Sequence, residues 1–131
     1  IELDPQLALA YYNKGSALDL QGKHSEALKP YETAIQIDPN FAPAYDGMAW
    51  ALHNLDKPAE AIEWYNNSLI LDPLNYEVYN RKGITLRVLK EDEQAVECYK
   101  KAIEFSMKDS DLQSPFLEAY DNLGSALTDL G

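Results

Sequence analysis

The chain is poor in cysteine, in histidine and in positive charge: one Cys, two His and 11 Lys plus Arg stand against 22 Asp plus Glu in 131 residues. The single thiol, Cys98, cannot close an internal disulfide, which excludes the disulfide-stapled secreted folds. A net charge of −11 repels phosphate backbones and anionic lipid headgroups, so neither nucleic acid nor a membrane surface is an expected partner. No run of about 18 apolar residues occurs, and the N-terminus lacks the basic, apolar and small-residue succession of a secretory signal. The expected setting is reducing and cytoplasmic. His24 and His53 each lack a second His or Cys at ligand spacing, so no metal is expected. No phosphate-binding glycine loop, nucleophile elbow or catalytic carboxylate pair is present, so the chain is expected to be no enzyme and to need no cofactor.

What the sequence does contain is a period. Shifted by 34 residues against itself, it superposes Tyr11, Tyr45 and Tyr79; Leu18, Leu52 and Leu86; Ala27, Ala61 and Ala95; Tyr31, Tyr65 and Tyr99; and Ile35, Leu69 and Ile103. Tyr120 falls at the first of these positions after a longer gap of 41. Within each period two apolar helical patterns flank a short polar break, at Gln21-Gly22-Lys23-His24, Leu55-Asp56-Lys57-Pro58 and Lys90-Glu91-Asp92, so each unit reads as a helical hairpin. Tyr11, Gly15 and Leu18 share one face of the first helix, and Ala27, Tyr31, Ala34 and Ile35 one face of the second. Gly15, Ala49, Gly83 and Gly124 are expected to let helices approach while tyrosines fill the flanks, because a glycine inside a helix costs roughly 1 kcal/mol and needs compensation. Asp38-Pro39 and Asp72-Pro73 are expected to end one hairpin and open the next. Pro30, inside a second helix, is expected to kink it at a cost of about 3 kcal/mol.

This succession of aromatic, small, large apolar, alanine, aromatic and proline resembles the tetratricopeptide repeat (TPR) family. Tyr11, Gly15, Leu18, Ala27, Tyr31, Ala34 and Pro39 carry the likeness in 8–41, and Tyr45, Ala49, Leu52, Ala61, Tyr65 and Pro73 in 42–75. The third unit, 76–109, repeats it without the proline. Tyr stands for the usual Trp throughout, and Lys14, Met48 and Lys82 for the usual Leu. The resemblance implies an all-α solenoid of antiparallel helix hairpins stacked into a superhelix. Residues 1–7 read as the tail of a preceding repeat, since Ile1-Glu2-Leu3-Asp4-Pro5 parallels Ile35-Gln36-Ile37-Asp38-Pro39, and 110–131 as an insertion plus a further first helix. The chain is therefore expected to be a fragment of a longer array. The seven extra residues after Phe105 are expected to extend the third unit's second helix to about Lys108 and then form a loop, with Ser114 capping a helix opened by Pro115. This loop also reads as a contact loop or hinge.

Other motifs carry less. Glu91-Asp92-Glu93 sits where a helix begins and its dipole favours negative charge. His24 and His53 read as surface residues, Cys98 as a packed or half-exposed thiol, and Asn66-Asn67-Ser68 as a glycosylation pattern inside a helix.

In TPR proteins the first helices line a concave groove that holds a peptide. Carried onto this sequence, the groove-facing positions are Tyr12 and Ser16; Asp46, Trp50 and His53; Asn80, Arg81, Ile84 and Arg87; and Glu77, Glu118, Asp121 and Asn122. Trp50, with Tyr12 and Arg81, is the expected anchor, since large aromatics dominate interface energies. Some TPR proteins grip the C-terminal carboxylate of heat-shock chaperones with Lys, Asn, Asn, Lys and Arg; the corresponding residues are Tyr12, Ser16, Gly47, Glu77 and Arg81, of which only Arg81 matches. No chaperone-tail clamp is expected, and a basic or amphipathic peptide suits the acidic groove better. The resemblance thus implies a non-catalytic protein–protein interaction scaffold. Two alternatives stand beside it: self-association head to tail through unpaired terminal helices, with Leu123 and Leu127 exposed, and a regulatory or docking arm of a larger enzyme.

Overall fold

The computed structural model describes residues 4–112 and 116–131, and every regular element among them is an α-helix. The order is α1 Pro5–Leu20, α2 His24–Ile37, α3 Ala42–Asn54, α4 Pro58–Leu71, α5 Tyr76–Val88, α6 Asp92–Met107 and α7 Leu117–Leu130. Two compact units result, Ile1–Pro73 holding α1 to α4 and Leu74–Gly131 holding α5 to α7. In the first, α1 pairs with α2, α3 with α4, and α2 also packs on α3; in the second, α5 pairs with α6 and α6 with α7. The expected all-α helical-repeat architecture is the one observed.

The hairpins owe their sharp turns to one backbone device used three times. Gly22, Asp56 and Lys90, one period apart, take positive φ of 79°, 61° and 65°. The N–H of the next residue, Lys23, Lys57 or Glu91, then donates to the carbonyl of Leu18, Leu52 or Leu86 at 2.9 Å in each case. This closes the first helix of each hairpin with a left-handed residue. Gly22 adopts that conformation freely, whereas a side chain there costs roughly 1–2 kcal/mol.

The cores are built from alanines and tyrosines. Ala27, Tyr31, Met48 and Ala51 form a buried cluster with Leu18, Leu28, Ile35 and Trp64 against it, and Ala8, Ala34 and Ala44 form a second with Tyr11 and Phe41. The tyrosines of the second helices are central, not flanking as expected: Tyr31, Tyr65 and Tyr99 are 2%, 0% and 1% exposed. A Cβ added to Gly15 or Gly47 would come within 2.7 or 2.5 Å of the Tyr31 ring, and one on Gly83 within 2.5 Å of Tyr99. The glycines are thus the beds on which aromatic rings lie. Gly124 departs from this expectation: among the described residues nothing lies within 4 Å of its missing Cβ.

Other expectations are corrected locally. Pro39 and Pro73 follow the ends of α2 and α4 but do not open the next helices, which start at Ala42 and Tyr76. Pro5 does open one, with Asp4 capping α1 through its Oδ1 to the N–H groups of Gln6 and Leu7. Helix α2 runs on through Pro30, which is buried in it. The extension of α6 ends at Met107 with Lys108 as its cap residue, close to the expected boundary. The expected capping by Ser114 and opening by Pro115 lie outside the described residues; α7 runs from Leu117. The residues just after α6 are tied down, since the Tyr76 hydroxyl donates to Asp109 at 2.8 Å and Asp109 accepts from the Asp111 N–H at 3.0 Å.

Candidate protein-binding site

In the first unit the groove-facing positions of α1 and α3 repeat with the period: Tyr12, Ser16 and Asp19 correspond to Asp46, Trp50 and His53. Each set follows i, i+4, i+7 spacing and so shares one helix face. Trp50 and His53 are half-buried and stack with ring centroids 5.0 Å apart and planes 9° from parallel. Burial pulls the His53 pKa below its ordinary value, opposed by the Asp56 carboxylate. Asp46 is buried beside them. Helix α3 carries no Lys or Arg, and α1 only Lys14, so this face is aromatic and anionic. Tyr12 is less available than its position implied, because its ring packs 5.8 Å from Tyr31 and 5.6 Å from Phe41.

Asp19 is the residue the sequence reading missed on this face, although carrying His53 back one period points to it. Its carboxylate accepts from the Tyr31 hydroxyl at 2.6 Å and meets His24 Nδ1 at 2.9 Å. Burial and this hydrogen bond both raise the Tyr31 pKa, so the phenol stays protonated. Neither histidine is a simple surface group: His24 closes on Asp19 and His53 stacks on Trp50.

The second unit uses the same positions differently. Asn80 is buried, and its Oδ1 accepts from Asn122 Nδ2 at 2.9 Å, joining α5 to α7. Arg87, expected to be a positive point of the groove, donates to Ser125 at 3.1 Å, forms a close ion pair with Asp129 and lies 3.8 Å from Asp92. It fastens α7 rather than facing a ligand. Ser125 and Asp129 were not singled out in sequence, although Ser125 is Ile84 carried forward by the longer gap of 41. Arg81 and Ile84 are half-buried on α5, Glu77, Glu118 and Asp121 are exposed, and on α7 Leu123 is half-buried while Leu127 is exposed.

The remaining candidate motifs fall away. Ser68 of the glycosylation pattern is fully buried in α4 and donates to the Ala42 carbonyl at 3.1 Å. Cys98 is buried, which pushes its thiol pKa up and away from reactivity. Among the described residues no group of three or more His, Cys, Asp or Glu is placed to hold a metal ion, and no helix is long and apolar enough to cross a membrane.

Helical hairpins repeating every 34 residues, with aromatic and polar groups on the first-helix faces, define a helical-repeat protein. Tetratricopeptide repeat profiles match residues 8–41, 31–63 and 76–108, and the chain belongs to that family. No curated protein sequence matches it. Among solved structures it is similar to the first TPR of Spaghetti (RPAP3) bound to HSP90 peptide SRMEEVD, at 27% identity and a TM-score of 0.86, covering 99% of this chain and 98% of that one. The first TPR domain of the human RPAP3 protein is similar at 26% identity and 0.86, covering 97% and 94%. The Sgt2 TPR domain from Aspergillus fumigatus matches at 19% identity and 0.86, over 98% and 82%, a likeness of fold alone.

Proposed function

We propose that this chain is a non-catalytic scaffold that captures a basic or amphipathic peptide segment of a protein partner on its first-helix faces, in a cytoplasmic setting. The observation that carries the reading is the Trp50–His53 stack on α3 beside buried Asp46. A flat aromatic shelf flanked by a carboxylate favours a side chain with an apolar stem and a cationic head, through stacking and cation–π attraction. An acidic tail meets like charge on the same face.

The likeness to a TPR that holds the HSP90 peptide SRMEEVD supports peptide capture, while the residues present here support a different peptide. At the clamp position occupied by Gly47 a side chain cannot be added without moving Tyr31, 2.5 Å from where its Cβ would stand. At the position of Tyr12 stands a ring committed to Tyr31 and Phe41. The test is fluorescence anisotropy with labelled SRMEEVD and with its counterpart carrying lysine at the three acidic positions. The lysine peptide is expected to bind more tightly, to weaken as salt rises, and to lose at least about tenfold in affinity on Trp50→Ala. Equal or tighter binding of SRMEEVD, or an unchanged affinity for Trp50→Ala, overturns the reading.

A further inference from the structure

We propose that the cavity lined by Pro39, Tyr45, Asn67, Ile70 and Leu71 in the first unit is a docking site for one lysine side chain of a protein partner, its ammonium lying on the Tyr45 ring. The repeat itself supplies the precedent. Tyr79, Lys101, Glu104 and Phe105 stand one period of 34 after Tyr45, Asn67, Ile70 and Leu71. There the Lys101 Nζ lies over the Tyr79 ring, 5.6 Å from its centroid, within the reach of a cation–π contact. At the same place on α4 stands Asn67, which has no ammonium to offer, and neither α3 nor α4 carries a Lys or Arg. The second repeat thus keeps the tyrosine and lacks the cation.

The Tyr45 ring is held ready for one. Its hydroxyl donates to the Pro39 carbonyl at 2.8 Å, and the ring packs on Trp64 with centroids 5.8 Å apart and planes 35° from parallel. Ile70 and Leu71, 76% and 37% exposed, form an apolar wall along which the carbon stem of a lysine lies. The volume is about 270 Å³, just under the roughly 300–1,000 Å³ of pockets that enclose drug-sized ligands. It suits a single side chain.

Charge selects the sign of the occupant. The cavity lies beside the ends of α2 and α4, at Ile37 and Leu71, and the C-terminal end of a helix carries partial negative charge. Neither last turn holds a basic residue, and Asp38 and Asp72 follow directly. A carboxylate meets like charge here, whereas an ammonium is drawn in. One such contact is weak alone and gains strength as one point of a larger protein contact. The site shares no lining residue with the Trp50 face, so its test is separate from that reading.

The experiment is an NMR titration of the 131-residue chain with n-butylammonium, which copies the end of a lysine side chain, and with butyrate and n-butanol beside it. Butylammonium is expected to shift the Tyr45 ring and Asn67 amide resonances saturably, with a dissociation constant on the order of 10 mM that rises with salt. Butanol should bind at least about threefold more weakly, and butyrate should leave these resonances unmoved. Asn67→Lys supplies the ammonium from within, as Lys101 does one period on, and is expected to weaken butylammonium binding at least about fivefold. Asn66 is exposed on the same helix and does not line the cavity, so Asn66→Lys adds the same charge and should change the affinity less than about twofold. Both positions are exposed, and both variants should melt no lower than the parent. No saturable shift at Tyr45, equal affinity for butanol or butyrate, or equal effects of the two substitutions overturns the proposal.

Discussion

The two units place different chemistry on one repeat register. On α1 and α3 the groove-facing positions hold Tyr12, Ser16, Asp46, Trp50 and His53; on α5 and α7 they hold Asn80, Ile84, Arg87 and Asp121. In the first unit the aromatic pair stacks within one helix. In the second the polar groups reach across helices, Asn122 to Asn80 and Arg87 to Ser125 and Asp129. A shared register therefore tells which side chains occupy a common face, but not which of them are already committed to holding helices together. The same division runs through the glycines. Gly15 and Gly47 bracket one ring, Gly83 supports another and, among the described residues, Gly124 supports none.

The strongest way to break this comparison is at the glycines. Gly47→Ala puts a Cβ 2.5 Å from a Tyr31 ring that Gly15 crowds from its own helix and Asp19 holds by its hydroxyl, so the ring has little freedom to move aside. A loss of about 2–3 kcal/mol is expected, exceeding the roughly 1 kcal/mol gained in helix propensity. Gly124→Ala, with nothing among the described residues within 4 Å, should instead gain up to about 1 kcal/mol. Urea denaturation of both variants checks the opposite signs, and equal effects would mean that ring contact does not separate the two sites.

Next in size is the α7 fastening. Arg87→Ala removes the donors to Ser125 and Asp129, and because Asp129 is half exposed the expected cost is only about 1 kcal/mol. Its sign should be local: amide exchange should quicken in α7 and stay unchanged in α1 and α2. The hairpin turns give a comparable gain in both units. Asp56→Gly and Lys90→Gly relieve left-handed residues at φ 61° and 65° and should each stabilise by about 1 kcal/mol, the same change predicting the same result on either side.

Most of the backbone was legible from the period alone, and the reasons are local. The polar breaks at 21–24 and 90–92 marked the turns, the spacing of Ala27, Tyr31 and Ala34 marked a buried face, and the seven extra residues after Phe105 marked the extension of α6. The commitments of side chains were not legible, because they join residues with no common spacing. Arg87 meets Ser125 and Asp129 across 38 and 42 residues, and no repeat rule reaches that far once an insertion has shifted the register. Gly47 was equally hidden. It lies off the small-residue position of the repeat, and what demands it is Tyr31 of the preceding hairpin. The Asp-Pro pairs misled about helix starts because proline forbids continuation of the helix behind it more strictly than it fixes where the next begins.

The smallest expected effect sharpens the comparison by acid. His53 lies in the first unit, so a loss of stability driven by its titration should be confined to α1 through α4. Burial lowers the pKa of His53 below 6.5 while Asp56 partly offsets it. Between that lowered value and 6.5 the unfolded chain binds the proton that the folded chain refuses, so stability is intact above pH 6.5 and falls as pH drops below it. His53→Gln keeps a flat side chain against Trp50 and removes the titration. Between pH 7.5 and 5 the variant's urea midpoint should fall less than the parent's, with the difference seen in amide exchange of α3 and not of α5. Identical slopes would show that the stacked imidazole takes up its proton as readily folded as unfolded, and would remove the acid sensitivity assigned to the Trp50 shelf.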